Sequence, residues 1–287
     1  MGTFIGHVVP ALALLFLGLW HTVNTIRAYC LGGSNSFVVQ YWYPFIGPVS
    51  KLKYLELVFI LFFSVSAMIS QLFDFPYMKF ALELDGFEHA TMFLHLALFS
   101  CFALAAHLTR SSHVLSGVTG ILAASVFGQE LFLLHFHSAD HAGIEGHYHW
   151  LLQLIVIVSV LAALASVGSP TNFPAALVLS LSVVFQGCWF LNMGLVLWVP
   201  ELIPEGCTAQ MSGSKSDYML GAIVCGSTDA DMRARALANL QFSWILSGIM
   251  LLTGCVCLKY ARRGQSVEYE KLYAKGCDVS VTIDGFK

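Results

Sequence analysis

Charged residues are scarce in this sequence of 287 amino acids. Asp, Glu, Lys and Arg together make up 11% of it, whereas a soluble domain carries about 25%. So few charges cannot cover a water-exposed surface. The net charge of −3 comes with neither a basic stripe that would bind nucleic acid nor an acidic tail. The composition therefore excludes an ordinary soluble domain and predicts that the main partner is the lipid bilayer.

Short catalytic motifs are also lacking. We find no G-x-S-x-G nucleophile elbow, P-loop, dinucleotide-binding fingerprint or H-E-x-x-H zinc motif. The N-terminus has no Lys or Arg before its apolar run and no small-residue cleavage site, so we interpret it as a retained first span rather than a signal peptide. Whether the protein is an enzyme stays open on these grounds.

Apolar residues are abundant, at 57% of the chain with a mean hydropathy of +0.74. A spanning helix needs roughly 20 predominantly apolar residues. We therefore predict an all-α fold, a polytopic membrane helix bundle, with residues 1–260 as a seven-helix transmembrane domain and 261–287 as a polar cytoplasmic tail. The seven predicted spans are 7–28, 52–72, 88–108, 114–137, 147–169, 174–199 and 236–259.

The distribution of Lys and Arg predicts the orientation of the bundle. Seven spans place the termini on opposite sides, and basic residues are enriched on the cytoplasmic side. With the N-terminus outside, ten of the fourteen basic residues fall on the cytoplasmic side. We therefore predict an exoplasmic N-terminus and a cytoplasmic C-terminus. The ten residues are Arg27, Lys51, Lys53, Arg110, Lys259, Arg262, Arg263, Lys271, Lys275 and Lys287.

This orientation gives the cysteines different chemistry. Cys207 and Cys225 lie in the long exoplasmic loop before the last span, where an oxidising lumen permits a disulfide. We predict that bond, although two free thiols also fit the spacing. Cys30, Cys255 and Cys257 lie near the cytoplasmic ends of the first and last spans. Both S-palmitoylation and apolar packing account for these three, and we favour packing.

Histidines and acids gather at the exoplasmic ends of the predicted spans. Ionisable groups in spans are costly and usually face a protein interior or a water-filled cavity. A polar cavity that opens to the exoplasmic side is the simplest common explanation for their placement. Seven of the eleven histidines lie there. The residues in question are His7, Glu88, His89, Glu130, His135, His137, Asp140, His141, Glu145, His147 and His149.

Imidazole and carboxylate groups together are the ligands that Zn²⁺ and related ions accept. Glu130 and His137 are seven residues apart and share one helix face. A structural role remains the alternative, because histidines also hydrogen-bond between helices and anchor at the interface. The candidate metal ligands are His7, His89, Glu130, His137, His141 and His149, and Glu88, Asp140 and Gln186 are the candidates for orienting them.

We predict structural roles for the ionisable residues at the opposite, cytoplasmic end of the bundle. His21, His107 and His113 lie on the predicted cytoplasmic side, as interface residues rather than a second site. Glu56, about one turn inside the boundary, is expected to snorkel or to pair with a nearby lysine. No ligand site is predicted there.

The cytoplasmic tail contains a sorting-like motif. Tyr269 is followed two residues later by a charge and then by Leu272, a pattern that binds trafficking adaptors in an extended form. It favours the Golgi or endosomes, or the plasma membrane, as the location.

Five sequence blocks resemble the transmembrane protein 45 family, and its plant branch most of all. They are GHVVPALALLFLGLW, FEHATMFLHLA, FGQELFLLHFHSADHAG, HYHWLLQL and FQGCWFLNMGLVLWVP. The resemblance implies a multi-pass protein of endomembranes and supplies no substrate. The positions that it implies as motif residues are His7, His89, Glu130, His137, His149, Gln186 and Trp189.

Two functional hypotheses follow from these observations. In the first, a seven-helix membrane protein holds an exoplasmic His/carboxylate site for a divalent metal such as zinc or for a small polar ligand. In the second, it is a non-catalytic endomembrane trafficking or stress-response protein in which the histidines are structural. A transporter or channel is disfavoured, because the sequence shows no repeats and no charges along the middle of a span.

Overall fold

A computed structural model of the chain describes residues 4–45, 50–74, 79–80, 84–137, 143–209 and 223–283, with the backbone alone at some positions, including His137 and 264–283. In this part of the chain, seven helices are long and apolar enough to cross a membrane. The predicted all-α bundle of seven spans is therefore confirmed. The helices are α1 (Phe4–Gly32), α2 (Leu55–Leu72), α3 (Leu84–Leu108), α4 (Ser116–His137), α5 (Gly143–Gly168), α6 (Phe173–Trp198) and α7 (Thr228–Ile283).

Neighbouring helices α2 to α6 pack side by side, and α1 lies against α6 and α7. The α1–α6 pair is antiparallel, because His7 lies beside Gly194 whereas Gly18 lies beside Val184. We call the end at which α1, α3, α5 and α7 begin the histidine end, and the opposite end the Glu56 end. The exoplasmic placement of the histidine end stays a prediction.

Glycines bring α1 and α6 into backbone contact. A Cβ atom at Gly187 would lie 2.6 Å from the backbone nitrogen of Leu15, and one at Gly18 would lie 2.6 Å from that of Val184. Small residues at a helix crossing permit this approach, and membrane helices associate largely through such packing. Close contact along α1 and α6 thus fixes the position of the α1 residues at both ends of the bundle relative to α6.

The best-buried core lies between α5, α6 and α7. Trp189 and Tyr148 are completely buried, and Trp189 Nε1 donates a hydrogen bond to the carbonyl of Tyr148 at 3.0 Å. Deeper in the same α5–α6 interface, the side chain of Gln186 donates to Ser159 Oγ at 2.8 Å. In hydrocarbon such polar groups need protein partners. These bonds supply them for the Trp189 indole and the Gln186 amide nitrogen, whereas Gln186 Oε1 has no hydrogen-bond partner among the described residues.

Two short antiparallel hairpins lie in the connections at the histidine end. One pairs β1 (Phe73–Asp74) with β2 (Lys79–Phe80), and the other pairs β3 (Cys207–Ala209) with β4 (Ile223–Cys225). Cys207 lies directly opposite Cys225 in the second hairpin, and the two are joined as a disulfide. This is the pair that the cysteine positions predict.

Residues 37–45 fold back over the Glu56 end, and we call them the capping segment. The Val39 amide donates to the carbonyl of Pro170, in the α5–α6 turn, at 2.7 Å. The Trp42 ring meets the His107 ring of α3 edge to face, with 4.5 Å between centroids. A connection between α1 and α2 therefore also touches other helices. Its buried residues are Phe37, Val39, Trp42 and Tyr43.

The last helix continues well past its spanning part. The apolar span within α7 is Thr228–Arg263, whereas the helix itself runs to Ile283. The polar tail predicted for 261–287 is thus helical through most of its length here, and the sorting hypothesis would need residues 269–272 to be extended when bound. Nothing in the structure tests that hypothesis.

Candidate functional site

Two buried histidines from different helices face each other at the histidine end. His7 of α1 is 6% exposed and His149 of α5 is 7% exposed. Their ring centroids are 6.2 Å apart, with the planes steeply inclined. The ring of Trp198 lies 4.5 Å from that of His7 and closes one side of the pair. The fold thus unites two of the predicted ligands that are far apart in sequence.

The protonation of His149 follows from its backbone contact. Its Nδ1 lies 2.9 Å from the carbonyl oxygen of Glu145, one helical turn earlier. A carbonyl oxygen only accepts hydrogen bonds, so Nδ1 carries a hydrogen, and Nε2 is the ring nitrogen that a metal ion would use. Metal-binding histidines are commonly oriented in this way, through a second nitrogen that donates to a carbonyl group. Glu145 itself is 4% exposed.

A second group of predicted residues lies between α3 and α4. Glu88 and His89 line a small pocket, together with Met92, Leu133 and Leu134. Its volume of about 30 Å³ has room for about one water molecule. The predicted orienting residue Glu88 therefore lines the same pocket as His89.

Glu130 lies in the spanning part of α4 and is half-buried. It forms no hydrogen bond or ion pair with any residue that the structure describes. Its predicted partner His137 ends α4, but the side chain of His137, together with Asp140 and His141, lies outside the described residues. The seven-residue spacing of Glu130 and His137 is the one expected from sequence, and their contact stays a prediction.

The predicted ligands do not form one compact cluster within the described part of the chain. There, no three His, Cys, Asp or Glu side chains come close enough together to hold a metal ion. Gln186 was expected to orient a ligand, but its amide donates to Ser159 within the α5–α6 core. The His7–His149 pair is therefore the part of the predicted site that the described side chains support.

Four other histidines hydrogen-bond to a neighbouring helix. These contacts agree with the structural alternative for the residues concerned, because each one connects two spans. The bonds join His21 to Glu56 at 2.8 Å, His95 to Ser125 at 3.4 Å, His135 to Gln153 at 3.3 Å and His147 to Asn239 at 2.9 Å.

The Glu56 end holds a polar cluster that the sequence interpretation missed. Glu56 is 8% exposed, and its carboxylate accepts three hydrogen bonds, all of 2.8 Å. The donors are Trp20 Nε1, His21 Nε2 and the backbone amide of Tyr43. The expected pairing of Glu56 with a lysine is wrong, because α1 and the capping segment supply its partners. The sequence contained one indication of this cluster, because Glu56, Trp20 and His21 lie at similar depths in their predicted spans.

Tyr43 connects the capping segment to both α1 and α2. Its hydroxyl lies 2.9 Å from Thr25 Oγ1, and its amide binds Glu56. Burial raises the pKa of Tyr43 to about 12; the hydrogen bond with Thr25 opposes this shift, and the Glu56 carboxylate adds to it. Tyr43 is therefore a neutral phenol at physiological pH. Its hydrogen bonds to Thr25 and Glu56 hold the capping segment against α1 and α2.

Comparison with known proteins gives two kinds of match. Residues 116–258 match the model described as a family of unknown function, DUF716. Transmembrane epididymal protein 1A of Mus musculus is 27% identical over 219 residues, which cover 70% of this chain and 68% of the mouse protein. Transmembrane epididymal protein 1 of Rattus norvegicus is 24% identical over 220 residues, with the same coverage of 70% and 68%.

These matches agree with the membrane fold, and they leave the compartment open. The resemblance to the transmembrane protein 45 family, and to a plant branch of it, stays a prediction. Golgi, endosomal and plasma-membrane locations likewise stay predictions. Through residues 116–258, from α4 into the spanning part of α7, this membrane-spanning chain matches the family of unknown function DUF716.

Proposed function

We propose that this multi-pass membrane protein binds a divalent metal ion such as zinc at its histidine end, with His7 and His149 as ligands. The facing of these two buried imidazoles, with ring centroids 6.2 Å apart, carries the proposal. A zinc ion binds imidazole nitrogens at about 2.0–2.1 Å, so one ion between the rings reaches both.

The surroundings of the pair favour metal binding over a purely structural contact. His149 is oriented by the hydrogen bond from Nδ1–H to the Glu145 carbonyl, the arrangement in which Nε2 is the nitrogen that ligates a metal. Trp198 and Phe190 pack against His7, with centroids 4.5 and 6.0 Å away. These aromatic rings lower the local dielectric constant and strengthen an ion–ligand interaction.

Zinc sites use three or four protein ligands, so the proposal needs at least one more. His137 and His141 are the assigned candidates, since the chain passes from the end of α4 at His137 to the start of α5 at Gly143 within a few residues. Because that connection is short, we expect both histidines to lie near the end of the bundle that holds His149. His89 lines the neighbouring α3–α4 pocket instead.

Metal analysis of the purified protein tests this function. The full chain, without a histidine tag, is equilibrated with zinc in mild detergent, desalted and analysed by mass spectrometry for metal per polypeptide. We expect about one ion in the wild type and a loss of at least tenfold in His7→Ala/His149→Ala, because two ligands are removed. His137→Ala should also lose the ion.

The matched control is His147→Ala, two residues from His149 on the same helix. His147 bonds to Asn239 of α7 rather than facing His7, so this variant should retain the ion. A well-folded wild type without zinc would contradict the proposal. Equal metal loss in His147→Ala and His149→Ala would also contradict it, and would support the interpretation of the histidines as ties between helices.

A further inference from the structure

The disulfide-bonded hairpin of β3 and β4 packs against the start of α5. Cys207 of β3 and Ile223 of β4 are buried in the same apolar cluster as Ile144 of α5, and β4 lies directly against that helix. Ile144 immediately precedes Glu145, whose carbonyl oxygen accepts the hydrogen bond from His149 Nδ1. The hairpin therefore supports the helical turn that orients one of the two proposed metal ligands.

The chain also connects the hairpin to the other proposed ligand. Trp198, whose ring lies 4.5 Å from that of His7, is the last residue of α6. From there the chain makes a single 3-10 turn (Pro200–Leu202) and reaches β3, where the Cys207 amide donates to the Pro204 carbonyl at 3.0 Å. One side of the hairpin thus packs beside His149, and the other side follows the residue that packs on His7.

The disulfide holds this small hairpin together. Each strand has three residues, and a two-stranded hairpin is at most marginally stable by itself. Cys207 and Cys225 lie directly opposite each other, so their bond fixes the pairing of the strands. The hairpin also meets α7 closely, because a Cβ atom at Gly206 (φ +83°) would lie 2.9 Å from the Cβ atom of Ala230. The bond therefore joins a rigid unit to the ends of three helices.

We propose that the Cys207–Cys225 disulfide positions the metal site, so that the oxidised chain binds a divalent ion more tightly than the reduced chain does. This inference rests on the proposed metal site at His7 and His149. Both cysteines are positioning residues rather than ligands, because a metal ion binds a thiolate. Loss of groups that orient metal ligands lowers metal affinity about 10–100-fold, and we expect an effect in that range.

Reduction of the bond is a two-electron step. A trialkylphosphine attacks one sulfur, the sulfur–sulfur bond breaks, and water hydrolyses the phosphonium group. Phosphorus is oxidised to the phosphine oxide, which takes the oxygen of water, and the protons of water complete the two thiols. Because these thiols can then bind zinc themselves, they are capped with iodoacetamide before zinc is added.

The test measures zinc affinity in the full chain, purified in mild detergent without a histidine tag. The dissociation constant is obtained by competition with a chromogenic chelator for the oxidised wild type and for Cys207→Ser/Cys225→Ser. We expect it to be at least tenfold higher in the double variant. The reduced and capped wild type should show the same loss, whereas oxidised wild type treated with iodoacetamide alone should not. Elution at the wild-type volume in size-exclusion chromatography shows that the fold is retained.

Two controls separate positioning from a general loosening of the fold. Cys30→Ser/Cys257→Ser makes the same chemical change in two half-buried free cysteines at the Glu56 end, and it should leave the dissociation constant within twofold of wild type. Glu56→Ala removes the acceptor of three buried hydrogen bonds. It should lower stability and likewise leave zinc affinity unchanged.

The outcomes distinguish this inference from the proposed function. A wild type that binds no zinc contradicts the proposed function, and this inference with it. Zinc binding in the wild type that stays within twofold in the double variant and in the reduced chain overturns this inference alone. Equal weakening in either control, or aggregation of both samples that lack the disulfide, also overturns it, because the bond would then act on the whole fold.

Discussion

At the Glu56 end, one buried carboxylate accepts three hydrogen bonds from α1 and the capping segment. At the histidine end, two buried imidazoles face each other, and Nδ1 of His149 donates a hydrogen bond to the Glu145 carbonyl. Both ends bury polar groups in the same bundle. The three hydrogen bonds at the Glu56 end tie neighbouring segments of the protein together, whereas two facing imidazoles are groups that a divalent cation can bind.

Together with the proposed metal site, this comparison predicts that the Glu56 end stabilises the fold and that the histidine end binds the ion. It also shows that a polar cluster can form where the sequence has few histidines. The Glu56 carboxylate binds the capping segment partly through the backbone amide of Tyr43. Every residue except proline has such an amide, so the sequence gives no indication of which one will bind. Substitutions at the two ends should therefore affect different measurements.

The largest effect on stability is expected for Glu56→Ala. This substitution leaves Trp20 Nε1, His21 Nε2 and the Tyr43 amide without their acceptor in a buried site. Removal of one member of a buried charged pair costs about 3–5 kcal/mol. The free energy of unfolding, measured by titration with sodium dodecyl sulfate in mixed micelles, should fall by that amount, and metal content per folded chain should not change.

Glu205→Ala is the control for this substitution. Glu205 is exposed in the connection before β3, so its loss should change the free energy of unfolding by no more than about 0.5 kcal/mol. The comparison between the ends fails if His7→Ala/His149→Ala destabilises the protein as much as Glu56→Ala does. In that case, the histidine pair would be a structural element as well.

An intermediate effect is expected for Gly187→Ala, which acts on both ends at once. The new Cβ atom would lie 2.6 Å from the Leu15 backbone nitrogen, so α1 must move away from α6. Overpacking of this kind costs about 1–3 kcal/mol. Because α1 carries both His7 and His21, we expect reduced zinc occupancy together with lower stability in the same titration.

Gly248→Ala is the matched control within a helix. A Cβ atom there has no neighbour within 4 Å, so the substitution should raise stability by up to about 1 kcal/mol through helix propensity. If the two alanine variants behave alike, the close α1–α6 approach does not determine the geometry of the two ends.

The architecture was predictable because the thickness of the bilayer determines the length of each span, and hydropathy reports that length directly. The helix partners were not predictable in the same way. Trp20 and Glu56 are 36 positions apart, and no periodicity in the sequence indicates that α1 and the capping segment meet at α2. The seven-residue spacing of Glu130 and His137 identifies a shared helix face but not what that face contacts.

The candidate site was predictable in part for the same reason. The clustering of histidines at one end of the spans predicted that His7 and His149 lie at the same end of the bundle. They meet because α1 and α5 both pack against α6. Gln186 also belonged to that half of the membrane, yet it bonds Ser159. Depth along the membrane normal is readable from sequence, whereas rotation about each helix axis depends on packing with its neighbours.

The smallest effect is expected for Tyr43→Phe, and its pH dependence identifies the cause. The substitution removes the bond to Thr25 Oγ1, which is worth about 1 kcal/mol. The pKa of Tyr43 is about 12 in the folded protein and about 10 in an unfolded chain, so folding favours the neutral phenol. Its stabilising contribution is complete below about pH 10 and is lost as the pH rises through about 12. The stability difference between wild type and Tyr43→Phe, measured by the same titration at several pH values, should therefore shrink over that window.

Tyr260→Phe, at a half-buried position on α7, provides the baseline for general alkaline effects. A difference that stays constant from pH 9 to about 12 would mean that the Tyr43 phenol is not held neutral by its burial beside Glu56.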